Sequence, residues 1–242
     1  MVADAMTSTK GLLLNAIGRL VLRDARITAV RQLGDDLRAI ALEGDGLRDV
    51  AWVPGDKVQV LLPTRDVRTY TPTAWDAARG ATELIVFDHG ASPGASWSRQ
   101  ARPGDRCRFV GPQRSLQRPR GRPAVLFGDE TSLGVALALH RADPHAPLAC
   151  VLEVGSRARV EAAAAAIELP TAALLARTAG DGHHAEVAAP LERHLGAHAG
   201  AQLLMTGRAQ SIQAVRSRLR GAGVRDAGAS KPYWSVGKTG LD

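Results

Sequence analysis

Up to about residue 115, hydrophobic residues occur in short runs with the length and alternation of β-strands. Glycine, aspartate and proline bound these runs, and residues 34–36, 54–56 and 103–105 have the composition of tight turns. The pattern predicts six strands, at residues 27–33, 37–43, 57–62, 67–73, 83–88 and 106–111. Six short strands of this kind predict a closed antiparallel β-barrel.

Beyond the Pro- and Arg-rich segment 114–123, the pattern changes to alternating strands and helices. The predicted strands are residues 124–127, 149–154, 172–176 and 202–205, and the predicted helices are residues 132–140, 157–167, 185–195 and 209–220. Such alternation is what a parallel sheet with crossover helices requires. We therefore predict two domains, a barrel over residues 1–118 and an α/β domain with a C-terminal tail over residues 119–242.

Composition removes several classes of protein. With 45% hydrophobic residues, a chain of 242 residues can bury a real core, which excludes a disordered protein. Cys107 and Cys150 are far apart and in no CxxC pair, so neither a disulfide framework nor a zinc site is predicted. The apolar run 11–22 is interrupted by Asn15 and Arg19 and is too short to span a bilayer. We expect a cytoplasmic protein that does not bind a membrane.

The net charge of +7 creates a positive field that attracts anions, including nucleic acids, dinucleotides and acidic chelates. Arginines are spread along the chain, aromatic residues are only 4%, and no RNA-binding or helix-turn-helix pattern occurs, so nucleic acid is not the expected partner. A solvated basic surface explains the charge equally well.

The tetrapeptide Arg68-Thr69-Tyr70-Thr71 lies in a predicted barrel strand. Alternation along a strand places Arg68 and Tyr70 on one face and Thr71 on the other. An arginine can neutralise a pyrophosphate, a tyrosine ring can stack on a flavin, and a threonine can hydrogen-bond a ring nitrogen. By itself the tetrapeptide is better explained by a surface arginine beside a core tyrosine, and its neighbours overturn that interpretation.

About eighteen residues later, Asp88-His89-Gly90 ends a strand, and residues 93–97, Pro-Gly-Ala-Ser-Trp, lead into a short helix. A glycine-rich loop at a helix N-terminus offers free amides to phosphate. The order RxYT, HG, PGASW, PGD and GPxxS resembles the siderophore-interacting protein family. That resemblance extends from about residue 24 to 238. Residues 128–132 match the family's ADET loop, 151–154 its next strand, 205–207 a later segment and 233–234 its terminal YW.

The resemblance implies the two-domain plan of the ferredoxin-reductase superfamily and FAD as cofactor. It implies that cofactor contacts come from Arg68, Thr69, Tyr70, Thr71, His89, Gly94, Ala95, Ser96, Trp97, Asp129, Glu130 and Thr131. It also implies a ferric siderophore held by Arg208, Lys231, Trp234 and Lys238. Simpler roles stay open: strand-end hydrogen bonding for His89, helix capping for Asp129 and Glu130, and a solvated tail for Lys238.

Three residues depart from the family pattern. Thr73 stands where the family usually has an arginine, Arg208 replaces a glutamate, and Gly134 replaces a proline in the ADET helix. The first change would remove a flavin or phosphate contact, and the second bears on the handling of nicotinamide. No catalytic acid or base and no metal site is predicted, and His183-His184 is interpreted as a loop pair.

The resemblance implies a monomeric reductase that releases iron by converting chelated iron(III) to iron(II), since these chelators hold iron(II) much less tightly. A flavin suits this step because it accepts a hydride and passes on single electrons. The donor would be NADH, NADPH or a ferredoxin. Two alternatives remain: a flavoreductase that serves a protein partner, and a non-enzymatic siderophore- or flavin-binding protein.

Overall fold

The computed structural model describes residues 22–224 and 228–237. Lys238 and nearly all of the apolar run 11–22 lie outside these residues. Among the helices described, none combines the length and the hydropathy that a membrane span requires.

The first half of the chain forms one antiparallel sheet of seven strands. They are β1 (Leu22–Gln32), β2 (Leu37–Glu43), β3 (Lys57–Leu61), β4 (Val67–Tyr70), β5 (Pro72–Asp76), β6 (Ala81–Phe87) and β7 (Arg106–Gln113). The order is β4-β3-β7-β1-β2-β6-β5. The two outer strands follow one another in the chain, so the sheet is rolled until its edges meet at Thr71. Its interior is filled by residues such as Ile40, Leu84 and Phe109.

The barrel has seven strands where the sequence predicts six, because the predicted strand 67–73 is two strands. Proline has no amide hydrogen to donate to a strand ladder, and Pro72 opens β5 at the edge of the sheet. The chain therefore turns a corner at Thr71 and pairs with β3 before it and with β6 after it.

The second half forms a parallel sheet of five strands in the order β10-β9-β8-β11-β12. The strands are β8 (Ala124–Gly128), β9 (Leu148–Val154), β10 (Ala173–Ala176), β11 (Gln202–Arg208) and β12 (Ala229–Trp234). The helices are α1 (Pro93–Gln100), which belongs to the first half, and α2 (Leu133–Ala142), α3 (Arg157–Ala166), α4 (His184–Ala197) and α5 (Ala209–Gly221). A barrel followed by a parallel α/β sheet confirms the predicted fold class.

Strand β12 was missed because its sequence, Ala-Ser-Lys-Pro-Tyr-Trp, is partly polar and contains Pro232. A proline argues against a central strand but is tolerated at an edge, and β12 is an edge strand. The central strand β8 is buried at every position because successive side chains face helices on opposite sides of the sheet.

The two halves share one hydrophobic core. Leu37, Ala39 and Ile85 of the barrel pack in the same buried cluster as Leu133 and Leu137 of α2. This packing places the C-terminal ends of the parallel strands beside the barrel corner at Thr71. The space between them is the candidate site.

Candidate functional site

A cavity of about 670 Å³ lies between the barrel and the C-terminal ends of the parallel strands. This volume is within the range of ligand-binding clefts. Its walls are formed mainly by β4, the end of β6 with the start of α1, the turn after β8, and β12. The start of β3, α2 and the end of β10 contribute further residues. The lining residues are Lys57, Val67, Arg68, Thr69, Tyr70, Thr71, Ile85, Phe87, His89, Ser92, Pro93, Gly94, Ala95, Glu130, Thr131, Gly134, Arg177, Lys231, Pro232, Tyr233, Trp234 and Ser235.

The wall formed by β4 packs directly on the first turn of α1. A Cβ atom placed on Gly94 would lie 2.9 Å from the Tyr70 hydroxyl oxygen and 3.4 Å from Cγ of Arg68. Only glycine permits this approach without a shift of one of the two elements. Arg68 and Tyr70 therefore share a face. Behind this wall, the ring of Tyr70 packs at 5.8 Å from that of Trp97.

Burial raises the pKa of Tyr70 above its ordinary value, so the side chain is an uncharged phenol at neutral pH. Trp97 is buried in the barrel core and supports Tyr70 from behind instead of lining the cavity. Ser96, likewise named from the sequence, also lies outside the lining. On a helix, neighbouring residues point in different directions, so only part of the 94–97 segment can face one ligand.

The prediction that Thr71 faces away from Arg68 and Tyr70 is wrong. It assumed one continuous strand, whereas Thr71 occupies the corner between β4 and β5 and also borders the cavity. Its Oγ1 lies 3.2 Å from the hydroxyl of Tyr233 on β12, so it joins the barrel corner to the second sheet. Gly134 of α2 allows this, because a Cβ there would meet the Thr71 carbonyl oxygen at 2.9 Å.

The first turn of α1 points into the cavity. Ser92 caps the helix by accepting a hydrogen bond from the Ala95 amide, and the His89 ring lies 3.3 Å from the Ser92 hydroxyl. Asp88 holds this loop through Arg99 and the Gly90 amide. Burial acts to raise the pKa of Asp88, but these hydrogen bonds outweigh it and hold the pKa below its usual value. The result is a rigid helix N-terminus, a geometry suited to phosphate.

Asp129 is buried behind the cavity wall, not exposed in it. Its carboxylate accepts hydrogen bonds from the amides of Thr131 and Arg208, at 2.9 and 3.0 Å, and from the indole of Trp234 at 2.7 Å. Burial raises the pKa of this carboxyl to about 6, although the hydrogen bonds from Thr131 and Trp234 act to lower it. Asp129 thus caps the turn after β8 and anchors β12.

Glu130 is buried in the cavity wall and forms an ion pair with Arg177, which is partly exposed. Both carboxylate oxygens of Glu130 lie 2.7 Å from Nη2 of Arg177, and one also accepts the Gly155 amide hydrogen at 2.6 Å. Arg177 was missed by the sequence analysis. A signal existed, because it follows the predicted strand 172–176 and ligands of parallel sheets bind at the carboxyl ends of strands.

The charged residues that line the cavity are mainly basic. Lys57, Arg68, Arg177 and Lys231 face it, against one carboxylate from Glu130. Arg208, predicted to bind siderophore, is instead turned away: its guanidinium lies 2.6 and 2.8 Å from the carboxylate oxygens of Asp181. Lys57 is the first residue of β3, and a lysine at the start of a strand is too common to indicate a binding site. It was not predicted.

Most of the site residues predicted from the sequence line the cavity. Those that line the cavity are Arg68, Thr69, Tyr70, Thr71, His89, Gly94, Ala95, Glu130, Thr131, Lys231 and Trp234. Phe87, Ser92 and Tyr233 also line it without having been selected as site residues. Lys238 lies outside the described residues. Thr73 is buried outside the cavity lining, and its hydroxyl contacts Glu83 of β6 and Arg141 of α2.

The interpretation of His183 and His184 as a loop pair is wrong. Both are buried, and their Nε2 atoms lie 2.9 and 3.2 Å from the same oxygen of Glu153. The backbone amide of Thr178 donates to Nδ1 of His183, so the hydrogen of that neutral ring is on Nε2 and points at Glu153. Ser211 donates to the other carboxylate oxygen. Glu153 thus forms a buried hydrogen-bond network with His183, His184 and Ser211.

The residues of the cavity fit an FAD molecule. Glycine at position 94 lets the first turn of α1 approach Tyr70, the helix N-terminus and Arg68 offer positive charge to a diphosphate, and Tyr70 and Thr71 offer an aromatic ring and a hydroxyl to the isoalloxazine.

Comparison with known proteins supports this assignment. Residues 64–116 match the family model described as the siderophore-interacting FAD-binding domain. This segment contains β4, the corner at Thr71, β6 and α1. The resemblance deduced from the sequence is thereby confirmed in the segment that carries its flavin motif. A search of curated protein sequences gives no match.

Solved structures share the fold of the whole chain. A siderophore utilization protein from T. fusca aligns with a TM-score of 0.71 at 20% identity, over 92% of this chain and 96% of that one. A siderophore-interacting protein from Aeromonas hydrophila aligns with a TM-score of 0.67 at 21% identity, over 91% and 94%. The ferredoxin reductase of carbazole 1,9a-dioxygenase aligns with a TM-score of 0.70 at 19% identity, over 88% and 69%. The fold is therefore ferredoxin-reductase-like.

Proposed function

We propose that this protein is an FAD-dependent ferric-siderophore reductase that releases iron in the cytoplasm by reducing chelated iron(III) to iron(II). The observation that carries the proposal is the basic cavity whose wall, Arg68 and Tyr70 packed on Gly94, lies within the matched FAD-binding segment. The proposal takes the protein to be a monomer with its domain boundary near residue 118.

The chain's own residues would hold FAD in a defined direction. Arg68 and the first turn of α1 would bind the diphosphate, where positive charge and free amides coincide. Tyr70 and Thr71 would contact the isoalloxazine, with Trp97 fixing the angle of the Tyr70 ring. His89, held by Ser92, would lie toward the adenine end.

Lys57 and Lys231 would attract a ferric siderophore, because both line the cavity and many such chelates carry negative charge. Trp234 would offer an aromatic face to the chelate. Bound FAD would supply the chemistry, by accepting two electrons from one nicotinamide or from two reduced ferredoxins and passing them singly to two iron(III) centres. No acid or base is required of the protein, so its task is to position the two partners.

The test is an anaerobic reduction assay. Purified protein should be yellow, and with an electron donor it should convert a ferric chelate into the coloured iron(II)-ferrozine complex. An Arg68→Met, Tyr70→Leu double variant should lose both the colour and the reduction. If the wild-type protein is colourless and does not take up FAD at micromolar supply, the proposal fails.

A second candidate is a reductase for a protein partner, favoured by the structural similarity to the ferredoxin reductase of carbazole 1,9a-dioxygenase. The same preparation distinguishes the two. Rapid reduction of an added ferredoxin without formation of iron(II)-ferrozine would favour the second candidate.

A further inference from the structure

The hydroxyl groups of Thr71 and Tyr233 meet where the barrel contacts the parallel sheet, with their oxygens 3.2 Å apart. The geometry of this contact lets either hydroxyl be the donor. We propose that Tyr233 is a positioning residue, which sets the direction of the Thr71 hydroxyl hydrogen and so raises the reduction potential of bound FAD. This inference rests on the proposed function, in which Thr71 contacts the isoalloxazine.

A bulge in β12 aims Tyr233 at the barrel corner. Gly207 of β11 pairs with Pro232, but the next residue of β11 pairs with Trp234, so Tyr233 is the extra residue. Strict alternation would place Tyr233 and Trp234 on opposite faces of the strand. Because a bulge redirects side chains, both of them line the cavity.

The two hydroxyls are held in place from both sides. The Trp234 indole donates to Asp129 at 2.7 Å, which anchors β12 next to Tyr233. The ring of Tyr233 packs against the hydrophobic core that the two halves of the chain share. On the barrel side, Gly134 allows the backbone of Thr71 to approach α2 closely. The contact is therefore fixed by the packing of whole elements.

A third hydroxyl, that of Thr206 on β11, lies near Tyr233. Thr206 is fully buried, and among the described residues its oxygen has no hydrogen-bond partner of normal geometry. Burial raises the pKa of Tyr233 above its ordinary value, while the hydroxyls of Thr71 and Thr206 act to lower it. Tyr233 is thus an uncharged phenol at neutral pH, with one hydrogen to donate to either threonine.

The hydrogens of these hydroxyls can point in two directions along the chain of three oxygens, since each hydroxyl carries one hydrogen. In the first direction, Tyr233 donates to Thr71, and the Thr71 hydrogen is free for an acceptor in the cavity. In the second, Thr71 donates to Tyr233 and Tyr233 donates to Thr206. Thr71 then offers only a lone pair to the cavity.

Oxidised and reduced flavin require opposite directions from Thr71. The ring nitrogen N5 accepts a hydrogen bond in oxidised flavin and is an N–H donor after two-electron reduction. The first direction suits the oxidised ring and the second suits the reduced ring. No proton leaves the protein in this reversal, because each hydrogen only rotates about its own C–O bond. The hydrogen gained at N5 comes from a nicotinamide hydride, or from solvent when electrons arrive singly.

Loss of the Tyr233 hydroxyl would affect the two redox states unequally. Beside oxidised flavin, Thr71 would still donate to N5 and would lack only a donor to its own oxygen. Beside reduced flavin, the Thr71 hydrogen would lose its acceptor, in a residue that is 7% exposed. A buried donor without an acceptor is the costlier defect, because an oxygen has two lone pairs and tolerates an unfilled one. The reduced form is therefore destabilised more.

The experiment is a spectroelectrochemical titration of the FAD-loaded protein, which measures the midpoint potential of the flavin. We expect Tyr233→Phe to lower it by about 30 mV, which is a tenfold weaker preference for reduced over oxidised FAD. Thr206→Val should lower it as well, because it removes the second acceptor of Tyr233. An unchanged or raised potential in either folded variant would overturn the proposal.

The matched control for Thr206→Val is Thr171→Val. Thr171 precedes the first residue of β10 and lies at the end of the parallel sheet away from the cavity. This variant should keep the wild-type potential, since the same loss of a hydroxyl occurs far from the flavin.

A second background tests whether Tyr233 acts through Thr71. In Thr71→Val protein there is no hydroxyl to orient, so Tyr233→Phe should no longer shift the potential. In Thr71→Ser protein the hydroxyl is present again, and the shift of about 30 mV should return. An equal shift in the Thr71→Val background would show that Tyr233 acts on the flavin directly, and its positioning role would be lost.

Failure of this inference is distinguishable from failure of the proposed function. A wild-type protein that binds FAD and forms iron(II)-ferrozine, but whose potential is the same in Tyr233→Phe, retains the proposed function and refutes the role of Tyr233. A colourless wild-type protein that takes up no FAD removes both.

Discussion

At the scale of single residues, the site depends on a close approach that one glycine permits. Gly94 lets α1 contact β4 where Arg68 and Tyr70 form the cavity wall. The approach places the positive end of a helix, a guanidinium and an aromatic ring around one space. A methyl group at position 94 would enter the volume of the Tyr70 hydroxyl.

We therefore expect Gly94→Ala to weaken FAD binding by on the order of tenfold, since α1 or Tyr70 must shift. A fluorescence titration of apoprotein with FAD measures this. The control is Gly196→Ala in α4, where a Cβ meets nothing within 4 Å and alanine favours the helix. Unchanged FAD affinity in a folded Gly94→Ala protein would contradict the assignment of this wall.

Asp129 shows how a buried carboxyl couples stability to pH. Its pKa is raised to about 6, mainly by burial, from an ordinary value of 3.8. The folded state therefore holds this proton more tightly than the unfolded state does. Stability from this residue is greatest below the unfolded pKa and is lost as the pH rises through about 6.

The expected loss is about 2 kcal/mol between pH 4 and pH 7, from a shift of roughly two pKa units. It is measured as the difference in free energy of unfolding between the wild type and Asp129→Asn across this range. The difference between the two proteins, not either curve alone, isolates Asp129 from other titrating groups. A difference independent of pH would show that the carboxyl keeps an ordinary pKa.

At the scale of elements, the pair of Glu130 and Arg177 ties together strand ends that are far apart in sequence. Glu130 follows β8, its second partner Gly155 follows β9, and Arg177 follows β10. The Arg177 guanidinium also donates to the backbone oxygen of Glu153. One ion pair thus holds together the C-terminal ends of the strands that face the cavity.

Arg177→Met should lower the free energy of unfolding by about 3 kcal/mol, because it leaves the Glu130 carboxylate buried without a cation. Denaturant unfolding measures the loss. The double variant with Glu130→Gln should recover most of it, since the uncompensated charge is gone. If the single variant is as stable as the wild type, the ion pair contributes little to the free energy of unfolding.

At the scale of the whole molecule, the basic lining of one cavity coincides with a positive net charge. The cavity presents Lys57, Arg68, Arg177 and Lys231, and the chain carries +7. Both would raise the local concentration of an anionic chelate. This attraction weakens as salt shortens the range of the field.

For the proposed reaction, we expect kcat/KM for a negatively charged ferric tris-catecholate to fall by on the order of tenfold between about 0.05 and 0.5 M salt. An uncharged ferric trihydroxamate serves as the matched substrate and should show little change. Equal salt dependence for both would show that charge does not guide the siderophore.

The sequence by itself determined the fold class and about half of the residues in the cavity wall. Alternation of period two predicted the barrel, alternating strands and helices predicted the parallel sheet, and the motif at residues 68–71 lies in the wall with His89 and Gly94. These features are local, because turn chemistry and side-chain spacing act over a few residues. The pattern also predicted most helix and strand boundaries to within two or three residues.

Only the tertiary structure decided which charged groups meet. The break at Thr71 depends on Pro72 lying at a sheet edge, Arg208 pairs with Asp181 instead of lining the cavity, and Arg177 meets Glu130 across 47 residues. His183 and His184 likewise converge on a glutamate about thirty residues earlier in the chain. Pairing between distant residues depends on the packing of whole elements, and the identity of neighbours along the chain does not encode it.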